Sequence, residues 1–162
     1  MVWSTETTSE QQTEALGRAL ARFLQPGVAV LLSGDLGCGK SVFARGVLRG
    51  LGVEAGSITS PTFTLVNPYP EGRLPAAHFD LYRIADPEEL DLVGIEEYVD
   101  GAGVVLVEWP EQGVGQRFGS MLTVRLEDRV ADPQWRRITL RAEEPLSRDC
   151  LHDFVQQRGS GG

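Results

Sequence analysis

Eight consecutive residues constrain this chain more than any other stretch. The run Gly34-Asp35-Leu36-Gly37-Cys38-Gly39-Lys40-Ser41 matches the pattern G-x-x-x-x-G-K-[ST] at every fixed position. It follows the apolar run Val28–Ser33 and precedes a segment whose apolar residues recur at helical spacing. A strand, a glycine-rich loop and a helix in this order predict a phosphate-binding loop of the Walker A type.

The composition of the loop has a physical reason. Its glycines permit backbone angles that residues with a Cβ avoid, so successive N–H groups can surround a phosphate. The N-terminus of the helix that begins near Lys40 adds partial positive charge. Lys40 is expected to reach the β- and γ-phosphates, and the Ser41 hydroxyl to bind Mg²⁺. The candidate phosphate-binding residues are Gly34, Asp35, Leu36, Gly37, Cys38, Gly39, Lys40, Ser41 and Val42.

Lys40 is the only lysine in the chain, among fourteen arginines. The presence of lysine at this position, in a chain that otherwise uses arginine, indicates that the loop needs a compact ammonium group where a planar guanidinium would not fit. It also excludes a standard GTPase, because the guanine-recognition patterns N-K-x-D and T-K-x-D require a second lysine.

Length and charge limit the remaining classes of protein. A chain of 162 residues predicts one domain, here residues 1–157, followed by a flexible tail over residues 158–162. The formal net charge of −8 argues against a broad nucleic-acid surface. Neither a leader segment nor a membrane span is recognisable, and Cys38 and Cys150 suggest reduced thiols, so a cytoplasmic location is expected. Nearby positive charge could also lower the pKa of the Cys38 thiol.

The periodicity of apolar residues predicts the other elements. A first helix begins with a capping box at Ser9 and Gln12 and stops before Pro26, and a second runs from about Lys40 to a cap at Gly52. Residues 62–69 and 76–82 are expected to form a hairpin, residues 86–99 a helical stretch broken at Gly94, and residues 104–108 a central strand. Residues 121–126 and 135–140 predict antiparallel strands joined by residues 128–133, and residues 146–157 a final helix.

Four further residues could carry chemistry in this pattern. Glu108 ends an apolar strand, which is the Walker B position, where a carboxylate binds Mg²⁺ directly or through water, or polarises the attacking water. Asp80 lies within a strand and would need Mg²⁺, its waters or an ion-pair partner if buried. Thr62 lies where a switch segment could sense the γ-phosphate, although it could equally be a simple strand start. His78 could be a hydrogen-bonding or a catalytic histidine.

Five blocks in one order carry a family resemblance. They are GDLGCGKS, SPTFTLV, HFDLYR, DPEELDLVGIEEY and VEWPEQG, and together they closely resemble the TsaE (YjeE) family. These are bacterial P-loop ATPases needed for the threonylcarbamoyl-adenosine modification of tRNA. The resemblance covers residues 9–113 and implies a three-layer α/β fold, P-loop NTPase-like, with a mixed, partly antiparallel central sheet.

The resemblance also implies roles for residues and partners. Lys40, Thr62, Asp80 and Glu108 become the catalytic candidates, Ser41 and Glu108 the magnesium ligands, and Ser9 a neighbour of the adenine of ATP. The family acts with the TsaB–TsaD pair, which transfers the threonylcarbamoyl group to an adenosine next to the anticodon, so tRNA is met only through that complex. Two departures are visible, because the family commonly has Ala at Cys38 and Thr at Ser41. Serine keeps the hydroxyl that binds Mg²⁺.

Two other classes of protein remain open. A small-molecule P-loop kinase would need an acceptor pocket and an arginine-rich lid, for which Arg117, Arg129, Arg136 and Arg137 are available. A binding module gated by nucleotide, without hydrolysis, would need Lys40 but not Glu108.

Overall fold

A seven-stranded sheet forms the centre of the molecule in the computed structural model, which describes residues 1–86, 88–99, 102–110 and 114–160. The strands are β1 (Val2–Thr7), β2 (Val28–Ser33), β3 (Val66–Tyr69), β4 (Ala76–Asp80), β5 (Val104–Glu108), β6 (Ser120–Arg129) and β7 (Asp132–Ala142). The helices are α1 (Glu10–Ala21), α2 (Lys40–Gly50), α3 (Glu89–Val93), α4 (Ile95–Val99) and α5 (Pro145–Gly159).

The sheet is mixed. Its strand order is β1-β7-β6-β2-β5-β4-β3, and β2 pairs in parallel with both β5 and β6, as β4 does with β5. The outer pairs β1–β7, β6–β7 and β3–β4 are antiparallel. The central strands β2, β4 and β5 are apolar and almost wholly buried, as parallel strands covered on both faces must be.

Helices cover both faces of this sheet. Alternate residues of β2 enter two separate apolar clusters, with Val30 and Leu32 on the side of α1, α2 and α5, and Ala29 and Leu31 on the side of α3 and α4. The prediction of a three-layer α/β fold with a mixed, partly antiparallel sheet is therefore confirmed. Within the described residues, no helix is both long and apolar enough to cross a membrane.

Two glycines bring α1 against α2 at short range. A Cβ on Gly46 would lie 2.1 Å from the carbonyl oxygen of Glu14, and one on Gly17 would lie 2.4 Å from that of Phe43. Each side chain would force the helices apart, so only glycine permits this spacing. The close approach places the first turn of α1 beside the start of α2, and an ion pair between Arg49 and Glu14 adds to the contact.

Several boundaries differ from the sequence predictions. Residues 62–65 form turns rather than strand, with Leu65 at φ +67°, so β3 begins at Val66. The hairpin of β6 and β7 is longer than predicted and turns at residues 130–131, because both strands continue beyond the apolar alternation. The strand β1 was not predicted, because it is a polar edge strand with few apolar residues.

Other predicted boundaries are confirmed. The Ser9 hydroxyl accepts from the N–H of Gln12 at 3.1 Å, and Gly94 separates α3 from α4 at φ +77°. Pro87, predicted at the start of the helical stretch, and residues 111–113 of the fifth family block lie outside the described residues. The last helix has three residues more than predicted, Pro145 at its start and Arg158 and Gly159 at its end. Of the proposed tail, residues 161–162 lie outside the described part.

Candidate functional site

The glycine-rich loop joins the end of β2 to the start of α2 at the carboxyl edge of the parallel strands. Gly34, Gly37 and Gly39 all have positive φ, at +144°, +81° and +103°. A Cβ on Gly34 would also lie 2.5 Å from the carbonyl oxygen of Leu126. The loop therefore has the backbone that the sequence predicts, and ligands of α/β sheets bind at this edge.

Lys40 is buried, with 5% of its surface exposed, and its ammonium lies on the loop itself. Nζ donates to the carbonyl oxygens of Gly34 at 2.6 Å and Asp35 at 3.0 Å, and it lies 3.8 Å from the centre of the Trp109 ring. Within the part of the chain that the structure describes, no carboxylate pairs with Lys40. Its direct contacts are thus carbonyl dipoles, the Cys38 sulfur at 3.8 Å and an aromatic face, an arrangement that favours attraction of an anion.

Trp109 has an unusual backbone conformation. Its φ is +61°, a region that bulky side chains rarely adopt and that often marks functional sites. This conformation directs the indole over Lys40 and against Tyr82, whose ring centre is 5.0 Å away.

Glu108 lies between two hydrogen-bonding side chains. The Ser41 hydroxyl donates to Oε1 at 2.8 Å, and Nε2 of His78 lies 2.7 Å from Oε2. His78 Nδ1 is buried and has no hydrogen-bond partner among the described residues, which favours the tautomer with its proton on Nε2. Burial by itself would raise the pKa of Glu108, but the hydrogen bonds from His78 and Ser41 and the charge of Lys40 outweigh it, so the pKa lies below its usual value.

Asp80 is the neighbour of Glu108 in the register of β4 and β5. Its Oδ1 accepts from the N–H of Tyr82 at 3.0 Å, and its Oδ2 accepts from the Thr62 hydroxyl at 3.3 Å. The side chain is 8% exposed and faces the same cavity as Glu108. The turn over residues 62–65 thus brings Thr62 to Asp80, although the two are 18 positions apart.

A cavity of about 450 Å³ collects most of the predicted residues, a volume within the range of small-molecule sites. The residues from the predicted set that line it are Ser9, Leu36, Gly37, Gly39, Lys40, Ser41, Val42, Thr62, Asp80 and Glu108. A second cavity of about 550 Å³ lies next to it, and Tyr82 and Trp109 contribute to the walls of both.

Three residues of the predicted set do not line the first cavity. Gly34 and Asp35 border the second cavity, and they contribute the carbonyls that hold Lys40. Cys38 is buried, and burial raises the pKa of its thiol although Lys40 and Arg136 act in the opposite direction. The lowered pKa that the nearby lysine and helix N-terminus could have produced is not found, because loss of solvent has the larger effect, so Cys38 is a small buried residue of the loop.

Several lining residues were not predicted for this site. Glu10 and Thr13 come from the first turns of α1, and Pro133, Gln134 and Arg136 come from the start of β7. The sequence indicates Arg136 only as a lid residue of the alternative kinase. Thr13 follows Ser9 by one helical turn, so its position on the same face could have been read from the sequence. The β7 residues could not, because only the pairing of distant strands brings them here.

The donor set suits a magnesium ion bound together with a nucleotide. Ser41 Oγ and Glu108 Oε1 converge at 2.8 Å, and Asp80 borders the same cavity. Among the described residues there is no group of three or more His, Cys, Asp or Glu side chains that could hold a metal alone. Mg²⁺ usually takes one or two protein ligands and completes its shell with water and phosphate, so this arrangement fits it.

Comparisons with known proteins identify the family to which this chain is similar. The family model "Threonylcarbamoyl adenosine biosynthesis protein TsaE" matches residues 7–138. The protein named "tRNA threonylcarbamoyladenosine biosynthesis protein TsaE" from Bacillus subtilis (strain 168) is 45% identical over 103 residues, 64% of this chain and 63% of that protein. The match thus spans less than two thirds of that relative. The protein of the same name from Rickettsia conorii is 36% identical over 148 residues, 91% of this chain and 84% of that protein.

A solved structure extends the likeness to nearly the whole chain. The crystal structure of Bacillus subtilus YdiB has a TM-score of 0.80 and 30% sequence identity, and the match covers 98% of this chain and 97% of that one. With the family model spanning well over half of the sequence, the chain belongs to the TsaE family.

Proposed function

We propose that this protein binds ATP with Mg²⁺ and hydrolyses it as a subunit required for threonylcarbamoyladenosine formation on tRNA, acting with TsaB and TsaD proteins. The observation that carries the proposal is the meeting of Lys40, Ser41 and Glu108 at one cavity, at the carboxyl edge of parallel strands. Family membership supplies the pathway, because the relatives are named for it.

The roles of the residues follow from their charges. Lys40 exchanges its carbonyl contacts for the β- and γ-phosphates, while the amides of the loop and the start of α2 surround the phosphate chain. Ser41 and Glu108 hold the magnesium ion, which neutralises phosphate charge when bound. Asp80, held by Thr62 and the N–H of Tyr82, orients the attacking water and accepts its proton.

The net charge and the two cysteines support a proposal for how tRNA is held and for the compartment in which the protein works. A formal net charge of −8 gives the chain no general attraction for tRNA, so tRNA is held by the partner proteins. Cys38 and Cys150 are both buried and unpaired, which supports a reducing compartment such as the cytoplasm.

A small-molecule kinase is less well supported. Of the four arginines available for a lid, only Arg136 lines the cavity, and its hydrogen bonds go to carbonyl groups. Arg117 donates to Asp91, Arg137 pairs with Glu6, and Arg129 stacks over Trp135. These three side chains therefore have other contacts.

The destination of the γ-phosphate tests the reaction type. Thin-layer analysis of labelled ATP, with and without TsaB and TsaD, should show phosphate released to water, faster when both partners are present. Transfer of label to a small acceptor would indicate the kinase instead.

Two substitutions separate binding from hydrolysis. Lys40→Ala should weaken binding of an ATP analogue at least about 100-fold, because it removes charge-assisted hydrogen bonds to two phosphates. Glu108→Ala should reduce turnover about 100-fold or more while part of the binding remains. Calorimetric titration and phosphate release measure the two effects. The control is Arg45→Ala, which removes one exposed positive charge from the same helix outside the cavity.

Normal Mg²⁺-dependent binding by the Lys40 variant would contradict the site assignment. Full biological activity of the Glu108 variant, together with loss in the Lys40 variant, would instead indicate a binding module that does not need hydrolysis.

A further inference from the structure

Arg136 occupies an unexpected position at the start of β7. The residues Ile138, Leu140 and Ala142 of this strand are buried in the core, and Arg136 shares their face by the alternation of the strand. A guanidinium group thus stands where the pattern calls for an apolar side chain, at the end of the strand that reaches the glycine-rich loop.

The guanidinium connects two backbone segments that are far apart in the chain. Nε donates to the carbonyl oxygen of Cys38 at 2.6 Å, and Nη2 donates to that of Gly37 at 3.3 Å. Nη1 donates to the carbonyl oxygens of Trp135 at 2.7 Å and Pro133 at 2.8 Å. Four of its five N–H groups therefore fix the loop to the β6–β7 hairpin.

These contacts determine which way the loop amides point. A peptide unit is planar and trans, so its C=O and its N–H point in opposite directions. Because Arg136 holds the carbonyl of Cys38, the N–H of Gly39 in the same peptide unit must point away from Arg136. Cys38 has glycine on both sides, and glycine allows a peptide unit to rotate with little steric cost. An external contact is therefore needed to keep this amide in one orientation.

We propose that Arg136 is a positioning residue that orients the Gly39 amide for the phosphate chain and so prepares the loop before the ligand arrives. This role rests on the proposed ATP binding. It reduces the ordering that the loop must undergo on binding, and such ordering weakens affinity.

The test compares four proteins and two ligands. Wild type, Arg136→Ala, Arg136→Lys and Arg141→Ala are titrated with the magnesium complexes of a non-hydrolysable ATP analogue and of inorganic tripolyphosphate. Arg141 is the matched control, because it lies on the same strand, is largely exposed and pairs loosely with Glu143 at 3.6 Å.

The Arg136→Ala variant should bind both ligands about tenfold more weakly, by the same factor, because a charge-assisted contact to the loop is lost. Arg136→Lys should recover little, since an ammonium has its three donors on one nitrogen and cannot reproduce the fork that reaches four carbonyl oxygens. Arg141→Ala should match wild type. In steady-state assays the loss should raise KM for ATP and leave kcat nearly unchanged.

Three outcomes would overturn the role. The first is normal binding by Arg136→Ala. The second is full recovery by Arg136→Lys, which would mean that charge alone matters. The third is a loss seen with the ATP analogue but not with tripolyphosphate, which would mean contact with the base. Thermal unfolding without ligand shows whether each variant is folded. If the alanine variant is unfolded, binding by the lysine variant tests the role instead. Failure of wild type to bind either ligand would instead refute the proposed function.

Discussion

At the scale of single residues, the chain of contacts through Glu108 links the interior of the sheet to the phosphate loop. Ser41 holds one carboxylate oxygen and His78 the other, and His78 is 3% exposed. A buried carboxylate with two donors is fixed in both position and charge. His78 therefore acts on the site through Glu108, without lining the cavity.

Substitution of His78 should change the pH dependence of hydrolysis. The pKa of Glu108 is lowered in the fold, so this carboxylate stays charged further into the acid range than an ordinary glutamate. Its contribution to hydrolysis is lost as pH falls through the lowered pKa. His78→Leu removes a donor and should raise this pKa, so activity is lost at a higher pH on the acid side. His78→Gln keeps an N–H near Nε2 and should retain most of the wild-type profile.

The measurement is the pH profile of ATP hydrolysis for the three proteins, with the fold verified at each pH by circular dichroism. An acid limb that is unchanged in His78→Leu, or a glutamine variant as impaired as the leucine variant, would show that the contact does not set the charge of Glu108.

At the scale of elements, sequence patterns predicted the helices, strands and site residues that depend on residues close together in the chain. Periodicity predicted β2, α2 and β5, each from a contiguous run of residues. The Walker A pattern predicted Lys40 and Ser41, and the end of an apolar run predicted Glu108. The turn over residues 62–65 was mistaken for strand because its β-branched and aromatic residues favour strands. The tertiary contact of Thr62 with Asp80 accompanies the turn, and no local pattern reveals it.

The start of α5 depends on contacts with β6. The carboxylate of Glu144 accepts from the N–H of Met121 at 3.1 Å and from the Ser147 hydroxyl at 3.2 Å, and the N–H of Ser147 donates to the Ser120 hydroxyl at 2.9 Å. Burial acts to raise the pKa of Glu144, but these hydrogen bonds from backbone and side chain outweigh it, so the pKa is lowered.

Glu144→Gln should destabilise the protein in a pH-dependent way. Because the folded pKa lies below the unfolded one, the carboxylate contributes stability above the ordinary glutamate pKa, and this contribution is lost as pH falls through the lowered value. At neutral pH the variant should lose about 1 kcal/mol, the typical contribution of a hydrogen bond, and the difference from wild type should shrink in acid. Urea unfolding at several pH values measures it, with the exposed neighbour Glu143→Gln as control. A difference that stays constant with pH would show that the charge is not involved.

At the scale of the whole molecule, the candidate site joins segments from both ends of the chain. One cavity is bordered by the N-cap and first turns of α1, the glycine-rich loop, the ends of β4 and β5, and the start of β7. The local part of this site could be read from the sequence. The part from β7 could not, because it depends on β6 pairing with both β2 and β7 across the sheet.

A ligand that contacts all these segments should stabilise the fold as one unit. Binding to the native state alone adds about 2.7 kcal/mol at a ligand concentration 100 times Kd. For a domain of this size, that energy corresponds to a rise in Tm of about 5–10 °C. Calorimetric scans with increasing Mg²⁺ and ATP analogue should therefore show a single transition that moves upward with concentration. Lys40→Ala should show almost no movement, while Arg45→Ala should follow wild type. A second transition that stays in place as ligand is added would mean that part of the chain unfolds independently of the site, and it would contradict a cavity shared by both ends of the chain.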